Sequence, residues 1–259
     1  MTSFALKIIA LITMFIDHSG YAIMGHFSFF NYIGRIAFPI FAFQISEGYK
    51  HTKNFKKYFL RIGLFALISQ VPFSLFLLKY HGSPFGLNIF FTLFLGLLAI
   101  YLYDYIVKIF VSSTNKDKTK DNNNVGLDNK TAVISKSKSE KNKFIYLGKF
   151  IGIVIALLIA YIAELTNCDY GFWGVLVVFM FYIFNGKKLL TALAFFALCA
   201  IKYIPQFISS GYIYIYLILG ICTFLPILFI SLYNGKQGPK IKYLLYVFYP
   251  VHLLILALI

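Results

Sequence analysis

An imidazole and a carboxylate, His18 and Asp17, interrupt an otherwise apolar stretch, LKIIALITMFIDHSG. Imidazole titrates near neutral pH, so His18 is suited to work as a general base. Arg35 and Asn31 are four residues apart and share a helix face. A guanidinium stays charged at any reachable pH and needs a counter-charge inside a membrane, which Asp17 at similar depth would supply. As structure, this pair is an Arg–Asp clamp between the first two spans. As chemistry, it adds a donor that could polarise a carbonyl and stabilise an oxyanion. Asp17 cannot orient its neighbour His18, because adjacent helical residues point about 100° apart. Any such orientation must come across helices; the plainer alternative has His18 packed against Arg35 or Asp17.

Lys7 and His18 are eleven residues apart. At 100° and 1.5 Å per residue they share one face, about 16 Å apart along the axis. That span matches the reach of a pantetheine arm, so a coenzyme A could place its phosphates near Lys7 and its thioester near His18. A lysine snorkelling to the interface explains Lys7 equally well. Glu47, Lys53 and Arg61 cluster at the same end and form, with Lys7, the candidate donor-binding set. Gln70, Asn88 and His252 are further polar residues in apolar runs and candidate additional site residues; His252 follows Pro250, whose missing N–H loosens the helix. Glu164 and Asp169 flank an outer loop, where they could attract a cationic amine or be simply solvated. His26, His51 and His81 fall in or beside loops. No His pair at i, i+4 and no CxxC occurs, so no metal site is expected. Cys199 and Cys222 lie in apolar runs as packing residues.

These groups must be carried by helices in lipid. Sixty per cent of the 259 residues are apolar and 13% charged, against about a quarter charged in a soluble domain. The expected fold is all-α, a polytopic transmembrane bundle of about nine spans: 4–24, 29–48, 58–78, 87–111, 146–165, 170–184, 189–208, 212–233 and 243–258. The first lacks a small-residue cleavage site and is read as a retained helix. Loops facing one side hold seventeen lysines and those facing the other two, which places the N-terminus in the cytoplasm and the protein in the cell membrane. The net charge of +15 thus reflects topology and attraction to anionic membrane lipids, not nucleic-acid recognition. Residues 112–145 form a lysine-rich stretch expected to be a disordered cytoplasmic linker. It separates four helices carrying the polar site (1–111) from five more (146–259), without an internal repeat.

LKIIALITMFIDHSG, IGRIAFPIFAFQISEGYKHTKNFKKYFLRI, FALISQVPFSL, NIFFTLFLGLLAIYLYD and FYPVHLLIL together resemble the TraX family. The resemblance implies an integral-membrane acyltransferase of the kind associated with N-terminal acetylation of conjugative pilin. The wider group includes surface-polymer O-acyltransferases and lysosomal heparan N-acetyltransferase, which carry acyl groups from cytosolic acyl-CoA to acceptors across the membrane. Many of the surface-polymer enzymes show Arg-x10-His in the first helix; here it is Lys7-x10-His18, which keeps the charge and loses the bidentate fork.

The expectation is therefore acyl transfer from acetyl-CoA, without metal, to an amine or hydroxyl on a protein, peptide or glycan outside the membrane. His18 would act as base, Arg35 and Asn31 as oxyanion donors, and Asp17 as their organiser. Direct transfer and an acyl-histidine intermediate both remain open. A proton- or ion-coupled transporter using Asp17, His18 and Glu47 is the alternative; such folds show inverted repeats that this chain lacks. A non-enzymatic accessory subunit of an envelope complex is a third reading.

Overall fold

The computed structural model describes residues 1–116, 130–239 and 241–259, and the regular elements among them are helices. They are α1 (Ser3–Met24), α2 (Phe29–Gly34), α3 (Ala37–His51), α4 (Phe55–His81), α5 (Ile89–Lys116), α6 (Lys130–Leu165), α7 (Gly171–Ile183), α8 (Lys188–Ser210), α9 (Ile213–Phe224), α10 (Pro226–Ser231) and α11 (Lys242–Leu258). Six helical stretches are long and apolar enough to cross a hydrocarbon core: α1, α4, the apolar parts of α5 and α6, α8, and α9 with α10. α7 and the apolar part of α11 are shorter, and α2 with α3 makes a broken crossing. The chain is a polytopic bundle of six to nine spans.

Lipid as solvent inverts the usual surface. Leu67 and Ile208, 65% and 73% exposed, point away from the bundle, as expected where the solvent is apolar. α7 is the exception. Trp173, Val175, Val177, Val178, Phe179, Met180 and Phe181 are all buried, so this helix is surrounded by protein and is apolar on every face. It packs on α3, α5, α6 and α8, while α1 contacts α2, α3 and α11.

Backbone bonds tie loops together on each face. Ser3 and Phe4 donate to Lys236 and Gln237 carbonyls on the lysine-rich side. On the lysine-poor side the α4–α5 and α6–α7 loops meet, with Leu87 N–H donating to Asn167 O (2.9 Å) and Asp169 N–H to Leu87 O (2.8 Å). The second contact fixes the backbone of Asp169.

The span expected at 212–233 is found, as α9 with α10, interrupted only by a turn at Leu225, before Pro226. Two expectations are corrected. The span expected at 29–48 breaks at Arg35 and Ile36, because Pro39 has no N–H to donate to the Arg35 carbonyl. Helix also enters both flanks of the stretch expected to be disordered, since α5 continues to Lys116 and α6 begins at Lys130. Residues 130–147 contain no glycine or proline, and extending an existing helix through lysine-rich sequence costs little. Residues 117–129, and Lys240, lie outside the described residues.

Candidate functional site

One face of α1 lines two cavities. Ser3, Lys7 and Met14 border a cavity of about 400 Å³ on the lysine-rich side. Met14, Asp17, His18 and Tyr21 border a second, of about 220 Å³, on the opposite side. The helical spacing anticipated from Lys7 and His18 therefore holds, with a cavity at each end. Four residues line both: Met14, Phe41, Ile89 and Tyr249.

In the outer cavity the Asp17 carboxylate accepts from Arg35 Nη2 (3.3 Å to each oxygen) and from Asn31 Nδ2 (2.8 Å). Arg35 Nε donates to the Asn31 carbonyl (3.1 Å). The clamp between α1 and the second crossing thus forms as the residue types required. Its closeness depends on Gly34, because a Cβ there would overlap the Asp17 carboxylate. The guanidinium's described bonds use Nε and Nη2, which leaves Nη1 to serve the cavity that Arg35 lines. Asn31 is fully buried and is not among the lining residues. Its amide NH2 also donates to the Asp17 carbonyl, and its Oδ1 accepts from Ser28 N–H. Asn31 is therefore spent on building the clamp, and the expected role as an oxyanion donor is corrected.

His18 takes its orientation from α11. Its Nδ1 lies 2.7 Å from His252 Nε2, with the two rings stacked, and His252 Nδ1 lies 2.7 Å from the Phe248 carbonyl. A carbonyl can only accept, so His252 carries its proton on Nδ1 and offers Nε2 as a lone pair. His18 must then donate from Nδ1, which leaves its own Nε2 unprotonated. That nitrogen makes no hydrogen bond among the described residues, and His18 lines the cavity. This is the arrangement of a general base held in one tautomer.

Asp169, Tyr170, His81 and Tyr249 also line this cavity; the sequence marked Asp169 and His81 only as loop residues, and Tyr170 and Tyr249 not at all. Asp169 has surface open to the cavity, while the protein crowded around it pushes its carboxyl up to about 6, against the pull of Arg35. Tyr170 stacks on Phe38 (3.8 Å), next to α3's start. Tyr249 had a readable signal: it stands three residues before His252, on the same helical face. Glu164 instead caps α7, accepting from Phe172 N–H (2.8 Å).

The inner cavity is lined by Lys7, Glu47 and Arg61, as expected, and also by Gln44 and His51, but not by Lys53, which is exposed on the α3–α4 loop. Arg61 lies over the rings of Tyr58 and Tyr246, at 5.5 and 5.3 Å, with its buried Nε unpartnered. Gln44 Oε1 accepts from Ser3 (2.7 Å), and its buried Nε2 is likewise unpartnered. Glu47 is held by Asn185 and His51. The cavity is thus lined by two cationic side chains, Lys7 and Arg61, of the kind suited to phosphate oxygens.

Gln70 and Asn88 do not join the site. Gln70 donates to Gly86 O (2.7 Å), Asn88 donates to Gln70 Oε1 and Ala66 O (2.9 and 2.7 Å), and Asn88 Oδ1 accepts from Phe90 N–H. Both are absorbed in securing the α4–α5 turn. No metal-holding group of His, Cys, Asp or Glu is found among the described residues.

The family model described as TraX protein matches residues 3–114 and 124–259. The chain belongs to the TraX family. A relative of this TraX chain is a protein described as probable fimbrial assembly protein FimC, serogroup H1, of Dichelobacter nodosus. It is 26% identical over 276 residues, covering 99% of this chain and 94% of the relative. No solved structure matches this TraX chain.

Proposed function

We propose that this TraX-family chain is a membrane-embedded acyltransferase. It moves an acetyl group from acetyl-CoA on the lysine-rich, cytoplasmic side to an amine or hydroxyl on the other side. The observation that carries the reading is the pair of cavities along one face of α1, one lined by Lys7 and Arg61 and the other holding His18 as a base. The family, and a relative described by fimbrial assembly, favour the N-terminal amine of a pilin-type protein as acceptor.

In this reading Lys7, Gln44 and Arg61 hold the phosphates and amides of coenzyme A, and the thioester reaches the partition between the cavities. The acceptor nitrogen or oxygen attacks the thioester carbonyl while His18 Nε2 takes its proton. Arg35 Nη1 supplies positive charge beside the oxyanion. The carbon–sulfur bond then breaks, and the thiolate takes the proton back from the imidazolium. Orientation of the base by His252 and the closed tautomer chain favour direct transfer.

The test is incubation of membranes with radiolabelled acetyl-CoA, followed by mass spectrometry of whichever molecule gains label. Labelling should fall by about 100-fold or more in His18→Ala. Equal labelling in correctly inserted variant would overturn the assignment. Back-to-back cavities also suit the transporter reading, which solute uptake into liposomes without any acyl donor would favour.

A further inference from the structure

We infer that Tyr249 is a catalytic residue, whose phenol donates a hydrogen bond to the thioester carbonyl oxygen at the boundary between the two cavities; this rests on the acyl-transfer reading. Of the four residues lining both cavities, Tyr249 alone has a polar side chain. A thioester that enters from the inner cavity and is attacked from the outer one must present its carbonyl at this boundary. The side chain of Tyr249 stands at that boundary.

Its hydroxyl is also unmatched. Tyr249 is 3% exposed, and its hydroxyl has no hydrogen-bond partner among the described residues. The Ile89 backbone N–H faces the phenol oxygen at the start of α5 but stops short of hydrogen-bond geometry. An N–H on that side leaves the phenol proton directed elsewhere. A buried donor left open in this way calls for a reason, since phenylalanine would fill the same space without one.

The ring is firmly placed. It meets Phe90, His252 and His18 edge-on, at 5.3, 5.7 and 6.2 Å between centroids. Tyr249 and the His252–His18 pair are thus fixed relative to one another, phenol and base together. The phenol's role involves no net proton transfer: carbon–nitrogen bond formation and carbon–sulfur cleavage proceed with the proton carried by His18. Tyr249 and Arg35 Nη1 would steady the same oxyanion from different sides.

The experiment uses the full chain in lipid nanodiscs, acetyl-CoA as donor and hydroxylamine as a small acceptor, reading thiol release. Tyr249→Phe should lower kcat by about 100-fold, leave KM for acetyl-CoA within about twofold, and not lower the melting temperature. A second readout needs no turnover. In a His18→Ala background, adding Tyr249→Phe should raise the infrared carbonyl frequency of bound 13C-acetyl-CoA by removing its hydrogen bond. Turnover within twofold of wild type, or an unmoved carbonyl band, would overturn the role of Tyr249 while His18 dependence kept the acyl-transfer reading intact. Wild-type thiol release no greater than that of His18→Ala would overturn both.

Discussion

His252 Nε2 accepts the Nδ1 proton of His18 at 2.7 Å, across 234 residues of sequence, and the Phe248 carbonyl decides the tautomer of both rings. In the proposed reaction His252 is thereby a positioning residue. His252→Phe keeps a ring in place but removes the acceptor, so turnover should fall by about 100-fold. His252→Gln, whose amide oxygen can accept the same proton, should restore part of it. A variant His252→Phe with an unaltered rate and pH profile would mean that His18 needs no such orientation.

The Asp17–Arg35 pair makes a prediction about stability. The two side chains are 13% and 22% exposed, and removing one partner strands the other in a largely dry setting. Arg35→Leu should destabilise by about 3 kcal/mol, and the double variant Asp17→Asn, Arg35→Leu should recover much of that. Thermal unfolding in detergent compares the three proteins; equal melting temperatures would show that the clamp is energetically idle.

In the proposed reaction, donor recognition should be separable from chemistry. Arg61→Gln removes the charge that lies between Tyr58 and Tyr246 in the inner cavity. It should raise KM for acetyl-CoA about tenfold with kcat little changed, the signature of lost uniform binding. A fall in kcat at constant KM would place Arg61 in the transition state instead.

Asp169 supplies a pH dependence. Its carboxyl is pushed up to about 6, so it is charged above that pH and neutral below. If the acceptor is an ammonium group, KM for the acceptor should rise as pH falls through 6. Asp169→Asn should flatten that rise. An acceptor KM that is flat between pH 5 and 7 in the wild type would exclude the attraction.

What the sequence made legible was whatever follows from local period and unpaired charge. The apolar runs announced the helices, and the cost of a lone guanidinium in lipid announced the Arg35–Asp17 clamp. Lys7 and His18 were related by helical arithmetic alone. The His18–His252 bond was not, because it depends on how α1 packs beside α11, and periodicity carries no information about neighbours. Gln70 and Asn88 were singled out for being polar in apolar runs, yet they satisfy backbone carbonyls beside a turn. Asp169 read as either amine-attracting or solvated, because a loop position says nothing about a cavity lined by six other helices. The breaks at Arg35 and Leu225 had a signal in Pro39 and Pro226 that hydropathy averages over.

The wall made by Met14, Phe41, Ile89 and Tyr249 is one side chain deep. Two polar recesses placed back to back concentrate the membrane voltage across that layer rather than spreading it over the full hydrocarbon thickness. A charge crossing there would feel nearly the whole potential, about 2.3 kcal/mol for each 100 mV. The proposed acyl transfer would carry a neutral group through this thin layer, so an energised cell would neither drive that reaction nor be discharged by it.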